Sequence, residues 1–150
     1  MKFFPDTSFL CSLYRLQIHS RKAVKFMTQI EGPLLISSLL ALEFRQSVRL
    51  QTRLFEQDRT KGYSLAEGNR MLQQMQSDLN SGVLQMLAPD WADVHRIAEG
   101  LSAKYTREKG HRLADLLHVA TAIHFGAAEF LTFDANQKSL AEAEGMQVPV

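Results

Sequence analysis

The sequence predicts an α/β protein whose parallel sheet is covered by helices on both faces. Short apolar segments alternate with helical segments of ten or more residues along the chain, and this alternation is typical of parallel sheets. The clearest case is residues 111–134, where an apolar helix, a glycine stop and a short strand follow one another. Asp115 lies inside that helix and Asp134 ends the strand. A carboxylate inside an apolar helix needs a partner, because burying it unpaired is costly.

The composition is that of one ordinary domain. With 150 residues, 45% hydrophobic and 22% charged, we expect a single domain over 1–150. The formal charge of +1 provides no overall attraction to nucleic acid or membranes, so such binding requires a local patch. Cys11 is the single cysteine, which excludes an internal disulfide framework and a cysteine zinc site. We therefore expect a cytoplasmic protein with no membrane segment.

The first half of the chain predicts two strands and four helices. Ser and Thr residues stand where helices begin, and they are favoured caps: Thr7 or Ser8, then Ser20, then Ser37 or Ser38. Ser64 and Glu67 form a capping-box pair. We predict strands at 2–5 and 34–36, and helices from 9 to about 18, 20 to 30, 38 to about 59, and 64 to 79.

The second half predicts further strands and helices in alternation. Asp90 caps a helix that runs toward Tyr105 and frays in a basic loop, 106–112. After the core helix, the strand at 130–133 leads into a last helix with Gly145 as its C-cap. The predicted elements are strands at 83–87, 130–133 and 148–150, and helices at 91–105, 111–125 and 135–144.

Four acidic residues are placed where a parallel sheet forms its working site. Such sites lie at the carboxyl ends of the strands. Asp6 follows the first strand and Asp134 the strand after Gly126, while Glu43 and Asp115 lie near the starts of helices. Like charges that share a rim need a neutralising cation. Oxygen ligands without cysteine or paired histidines favour Mg²⁺ or Mn²⁺, which suits phosphodiester hydrolysis.

Each acid also has an ordinary structural explanation. Asp6 and Asp134 are at positions where a helix cap is expected. Glu43 is in a helix, where most glutamates are solvated. Asp115 lies three residues after Arg112 and can pair with it. The metal-site hypothesis therefore depends on the joint placement of the four acids.

The chain resembles the PIN-domain ribonucleases of the kind found as VapC toxins in toxin–antitoxin pairs. The motifs that carry the resemblance are F-P-D-T-S-F-L with Asp6 and Ser8, S-S-L-L-A-L-E-F with Glu43, L-A-D-L-L-H-V-A-T-A with Asp115, and F-L-T-F-D-A-N-Q with Asp134. The four motifs occur in order over essentially the whole chain. Members often carry a further acid after the last motif, where this chain has Asn136, and that departure puts a second metal position in doubt.

The resemblance implies a PIN-like three-layer α/β/α sandwich with a central, mainly parallel sheet of four or five short strands. It also implies Mg²⁺- or Mn²⁺-dependent cleavage of RNA by an endoribonuclease. A small antitoxin partner and a homodimer are common in the family. We expect a dimer also because Phe9, Leu10, Leu13 and Tyr14 exceed what one helix face needs. The alternative is a non-catalytic PIN-like module that binds RNA or protein.

Several further residues have candidate supporting roles. Ser8 can hydrogen-bond a metal ligand or a metal-bound water, or only cap a helix. Thr132 and Asn136 flank Asp134 and can orient it or contact a phosphate. His118 shares a helix face with Asp115, where it either fixes the carboxylate or is a core histidine. Basic residues form two candidate patches for an RNA backbone, with solvated charge as the alternative: Arg107, Lys109 and Arg112 before Asp115, and Arg45, Arg49 and Arg53, a stripe that also suits an acidic partner.

Overall fold

Each strand of the computed structural model, which describes residues 1–150, leads into a helix, as the sequence predicts. A π-helical turn, Ser102–Thr106, connects the fifth and sixth helices. None of the helices combines the length and the apolar composition needed to span a lipid bilayer. The elements in chain order are β1 Phe3–Pro5, α1 Thr7–Tyr14, α2 Ser20–Gln29, β2 Leu34–Ser37, α3 Ser38–Gln57, α4 Leu65–Ser81, β3 Leu84–Leu87, α5 Trp91–Leu101, α6 Arg107–Lys109, α7 Leu113–His124, β4 Glu129–Leu131 and α8 Ala135–Ala143.

The chain divides into two compact units, each with its own pair of strands. Unit 1 comprises residues 1–9 and 87–150, and unit 2 comprises residues 10–86. The four strands pair as β1 with β4 and β2 with β3, in two-stranded sheets. The single domain expected from the chain length stays a prediction.

In unit 1, the parallel pair of β1 and β4 lies beside the apolar helix α7. Phe4 is opposite Phe130 in the parallel register, and both side chains are fully buried. Val119 and Ala122 of α7 belong to the same core cluster, and α7 also packs against α5. The core helix predicted from its nearly continuous apolar surface is confirmed, and it ends at His124, one residue before the predicted end.

Unit 2 is built around the helical hairpin of α3 and α4. The two helices pack against each other through buried apolar side chains that include Phe44, Val48, Met71 and Met75. Ser37 caps α3 by accepting the Leu40 N–H at 3.1 Å. Burial of this apolar stripe, more than helix propensity, holds two long helices together.

The predicted beginnings of the first two helices need correction. Asp6, and neither Thr7 nor Ser8, accepts the Phe9 N–H at the start of α1. Ser20 does not cap α2, because its hydroxyl accepts from Gln17 N and donates to Arg15 O in the preceding turn. The first helix ends at Tyr14, short of the predicted end near residue 18.

Two predictions for the second half are also wrong. The segment predicted as a basic loop continues the α5 helix through the π-helical turn into α6, and the irregular part begins only at Gly110. The edge strand predicted at 148–150 does not form. A single parallel bridge joins Gln147 to Glu129 instead, because the backbone pairs with the β4 segment only at Gln147, which donates to Ala128 O and accepts from Phe130 N.

Candidate functional site

Asp6 is the most buried acid of the candidate site. It follows β1, and its side chain has no exposed surface. Its Oδ1 accepts hydrogen bonds from Ser8 Oγ at 2.7 Å and from Phe9 N at 3.0 Å. Its Oδ2 accepts from Thr132 Oγ1 at 2.5 Å. Because a carboxylate has about four lone-pair positions, these three donors leave one position, on Oδ2, for a further ligand.

The electrostatics of Asp6 favour a bound cation. Burial raises the pKa of Asp6 above its ordinary value of 3.8, and the hydrogen bonds from Thr132, Ser8 and Phe9 offset part of that increase. A coulombic interaction with His118 makes a smaller contribution that also lowers this pKa. Because desolvation dominates, the ionised carboxylate lacks full compensation from the protein. A cation near Oδ2 would supply the missing charge.

Two hydroxyl groups join the segment after β1 to the segment after β4. Thr132 Oγ1, which donates to Asp6, accepts the Asp134 N–H at 2.9 Å. Ser8 Oγ, which also donates to Asp6, accepts the Phe133 N–H at 2.8 Å. Each hydroxyl therefore uses its proton on the carboxylate and a lone pair on the backbone. These bonds fix Asp6 and the backbone of Asp134 in one network.

Asp134 caps α8, one of the alternatives that the sequence left open. Its Oδ1 accepts the Gln137 N–H at 2.9 Å, as an N-cap does. The side chain is partly exposed. A capping carboxylate retains its second oxygen for other partners, so capping and metal binding are compatible for Asp134.

Asp115 is buried in the first turn of α7 and pairs with Arg112. The Arg112 Nε lies 3.1 Å from Asp115 Oδ2, and its Nη2 lies 3.4 Å from Oδ1. The Arg112 side chain is 77% exposed, whereas that of Asp115 is 6% exposed. The salt bridge considered for this pair is therefore present. His118, one turn farther along α7, is fully buried, and its predicted role in fixing Asp115 stays a prediction.

The remaining predicted residues lie in unit 2 or are exposed on the surface of unit 1. Glu43 lies in unit 2, half-buried in the second turn of α3, and its place in the acidic group stays a prediction. Asn136 is exposed in the first turn of α8, and Arg107 and Lys109 are exposed on α6. Their proposed contacts with a phosphate or with RNA are likewise predictions.

The donor groups fit a hydrated hard cation better than a metal enclosed by protein ligands. No group of three or more acidic, histidine or cysteine side chains is close enough to hold a metal ion directly. Mg²⁺ commonly binds through one or two carboxylates and keeps several waters. The position left on Asp6 Oδ2 and the oxygen-only donors suit that kind of binding. The residues present therefore fit Mg²⁺ or Mn²⁺ as an ion that retains its waters.

Gln137 is a polar residue of this region that the sequence analysis missed. It is 4% exposed, and its side-chain Oε1 is buried with no hydrogen-bond partner. A helical side chain leans toward the preceding turn, which here contains Asp134. A buried acceptor without a donor costs about 1–3 kcal/mol, so a donor such as a metal-bound water would stabilise it. A glutamine three residues after a capping aspartate was the available signal.

The sequence comparison identifies the family of this chain. A family model described as PIN domain matches residues 3–143. The chain belongs to the PIN domain family. No curated protein sequence matches it. The predicted PIN-like α/β fold is thereby confirmed, with its four short strands arranged as two pairs.

Solved structures of low sequence identity share the fold of this PIN domain. Mycobacterium tuberculosis VapC20, described as a sarcin-ricin loop cleaving toxin, aligns with a TM-score of 0.69 and 17% identity over 98% of both chains. VapBC-1 from nontypeable Haemophilus influenzae gives 0.62 and 13% identity, covering 99% of this chain and 96% of that one. FitAcB from Neisseria gonorrhoeae gives 0.61 and 17% identity, covering 97% and 95%.

Proposed function

We propose that this PIN domain is a divalent-metal-dependent endoribonuclease and the toxin of a toxin–antitoxin pair. The observation that carries the proposal is Asp6, a fully buried carboxylate with one oxygen position left for a ligand. Family membership and the likeness to VapC20, which is described as a sarcin-ricin loop cleaving toxin, support it further. The substrate is RNA, and the cofactor is Mg²⁺ or Mn²⁺.

Asp6, Glu43, Asp115 and Asp134 are the residues proposed to hold the cation. Ser8 and Thr132 hold Asp6 rigid, so little side-chain freedom is lost when a ligand binds. Arg112, with its exposed side chain, neutralises the Asp115 carboxylate in the metal-free protein, and a bound cation would neutralise it instead. When bound, a divalent cation lowers the pKa of a coordinated water and stabilises negative charge on the attacked phosphate.

The test is cleavage of a panel of cellular RNAs with Mg²⁺ or Mn²⁺, followed by addition of a chelator. We expect fragments in the presence of metal and none after chelation. Asp6→Asn should reduce the cleavage rate by more than about 100-fold, because even the loss of a residue that only supports a metal ligand costs 10- to 100-fold. The matched control is Glu99→Gln, which removes an exposed acid of α5 in the same unit and should leave the rate unchanged.

The partner proposals have separate tests. The toxin role requires a small antitoxin, which should co-purify when the chain is expressed with its neighbouring reading frames. The homodimer should appear in sedimentation at tens of micromolar, and a species of only 17.0 kDa would contradict it. The apolar residues of α1 do not indicate a dimer, as the sequence suggested, because Phe9, Leu10 and Tyr14 are buried within the single chain. The exposed side chains of Leu16, Ile18 and Leu113 support the proposed dimer instead.

A non-catalytic binding module is the second candidate function, and the hydrogen bonds that the acidic side chains accept within the protein favour it. Asp6, Asp115 and Asp134 each have protein donors of their own. The structure also contains no direct cluster of three metal-binding side chains. If RNA binds in the cleavage assay and remains intact with either metal, this candidate replaces the enzyme.

A further inference from the structure

A polar cavity in unit 2 is separate from the acidic residues of unit 1. Its volume is about 330 Å³, at the lower end of the range for small-ligand sites. Helices α1, α3 and α4 contribute to its lining, together with the segment that joins α3 to α4. No carboxylate lines it. The lining groups with hydrogen-bonding capacity include Arg15, Gln17, Ser47, Gln51 and Tyr63.

Arg15 supplies a positive charge that is not neutralised by an ion pair. Its guanidinium carbon lies 4.6 Å from the centroid of the Tyr63 ring, within the range of a cation–π contact. Arg70 holds the carboxylate of Glu67 at 2.8 Å and is the main cause of its lowered pKa, whereas Arg15 contributes only a smaller decrease. The guanidinium is thus held over an aromatic face with its N–H donors available, which reduces the entropy lost on binding.

Tyr63 adds a neutral donor to the same cavity. Its side chain is buried, and burial raises the pKa of Tyr63 to about 12, with a further increase from Cys11 and a partial decrease from Arg15. The hydroxyl therefore stays protonated at neutral pH and donates a hydrogen bond. Ser47 supplies a second hydroxyl on the lining, and Gln51 supplies a carboxamide.

The backbone holds this arrangement in place. Gly62, beside Tyr63, has a φ of +60°, and a Cβ there would lie 2.0 Å from the carbonyl oxygen of Gln51. Tyr63 N donates to the same oxygen at 3.4 Å. The segment before α4 is therefore pressed directly against α3, and the cavity is present without a ligand. A site formed in advance is what specific binding of a small group requires.

We propose that this cavity binds a phosphate group, with the Arg15 guanidinium as the principal donor and the Tyr63 and Ser47 hydroxyls as additional donors. Guanidinium groups bind phosphate through paired hydrogen bonds. Arg15, Tyr63 and Ser47 line the cavity together, and this number of donors suits a phosphate, which has more acceptor oxygens than a carboxylate. The phosphate belongs either to a free small molecule or to a nucleic acid. The proposal does not depend on the nuclease activity.

The test is calorimetric titration of the full chain with inorganic phosphate at constant ionic strength. A chelator is included, so that a metal bridging phosphate to the acidic residues cannot contribute. We expect saturable binding of about one phosphate per chain. Arg15→Gln should weaken it by about tenfold or more, the lower limit for losing a charged hydrogen-bond donor. Tyr63→Phe should weaken it by a smaller factor.

The controls separate the cavity from general basicity. Arg21→Gln removes an exposed charge of α2, in the same unit, that does not line the cavity, and it should leave the affinity unchanged. Arg15→Lys keeps the charge but loses the paired geometry, so it should bind more weakly than the wild type. If a short oligoribonucleotide competes with phosphate, the natural ligand is a nucleic-acid phosphate; if it does not, the ligand is a free small molecule. An absence of phosphate binding, or equal loss in the Arg21 variant, would overturn the proposal.

Discussion

The two units of this PIN domain carry opposite net charges. Unit 1 has seven lysines and arginines against ten acidic residues, a formal charge of −3, and unit 2 has ten against six, a charge of +4. The whole-chain value of +1 conceals this separation. The net charge of the whole chain therefore does not describe either unit, because a basic unit and an acidic unit cancel in the sum.

The units also differ in how they use their charged side chains. In unit 1, Asp6 and Asp115 are buried and are held by hydroxyls or by Arg112. In unit 2, Arg49 and Arg53 are exposed on α3, while Arg15 lines a cavity. Buried acids attract a cation, whereas available guanidinium groups attract an anion. This difference agrees with the two proposals, a cation at the acidic residues of unit 1 and a phosphate in the cavity of unit 2.

The largest effect that we expect is stabilisation by a divalent cation. Mg²⁺ or Mn²⁺ at about 100 times its Kd should raise the free energy of unfolding by about 2.7 kcal/mol. Asp6→Asn should abolish most of that increase, whereas Arg15→Gln in unit 2 should preserve it. The measurement is chemical denaturation with metal and with chelator. If neither metal at millimolar concentration changes the free energy of unfolding, the proposal that a cation binds to unit 1 is contradicted.

A pair of glycines tests how tightly each unit is built. Gly62 in unit 2 and Gly110 in unit 1 both have positive φ, but only at Gly62 does an added Cβ meet another atom within 4 Å, the Gln51 carbonyl oxygen at 2.0 Å. Gly110→Ala should cost about 1–2 kcal/mol from the left-handed backbone alone. Gly62→Ala should cost clearly more, since α3 and the adjoining segment must separate. Equal losses in urea denaturation would mean that this contact contributes little.

A smaller effect should appear in the pH dependence of the metal-free protein. Because burial raises the pKa of Asp6 above 3.8, the folded state binds more protons than the unfolded state between 3.8 and the folded pKa. The free energy of unfolding should therefore fall as the pH rises through that interval and then level off. Asp6→Asn should flatten this part of the curve and be no less stable than the wild type at neutral pH. A wild-type stability that rises over the same interval would contradict the burial argument.

The sequence predicted those features that depend on neighbouring residues. Ser37, Ser64 and Asp90 cap helices as expected, because a capping bond spans only two or three residues. The apolar helix α7 and its buried Asp115 were also visible, since a polar residue in a continuous apolar surface stands out. The capping box was only half correct: Ser64 accepts from Glu67 N, but the Glu67 side chain binds Arg70.

Other parts of the site depend on contacts that one sequence does not reveal. Thr132 donates to Asp6 across 126 residues, and only the pairing of β1 with β4 brings them together. Gln137 is marked in the sequence only by its spacing from the capping Asp134, and that spacing does not show that the carboxamide is buried. After the π-helical turn at Ser102–Thr106, helix α6 continues through Arg107–Lys109, where the charged residues indicated a loop. Tyr105 lies in this turn, and its hydroxyl donates a hydrogen bond at 2.6 Å to Glu144, the residue that follows α8.

The smallest effect concerns the basic residues of α6, which are an exception in the acidic unit. If Arg107 and Lys109 hold RNA phosphates, their double replacement by Ala should weaken binding similarly for every sequence. Each lost contact should reduce the log–log salt slope by roughly 0.7 for a single strand. The measurement is a binding titration at several salt concentrations in a cleavage-dead Asp134→Asn background. Metal affinity should change little, since cationic side chains are not ligands for a hard cation.

The matched control replaces the same number of charges in unit 2, with Arg49→Ala and Arg53→Ala. Both pairs are exposed and lie on helices, so each double replacement should reduce non-specific attraction to RNA equally. The pair whose replacement causes the larger loss of RNA affinity identifies the unit that holds the RNA. Arg112 belongs to neither pair, because it is bound to Asp115 at 3.1 Å. Arg112→Ala should therefore change stability or metal binding more than the salt slope. An unchanged slope in the α6 variant would leave Arg107 and Lys109 as solvated charge and place RNA binding on unit 2.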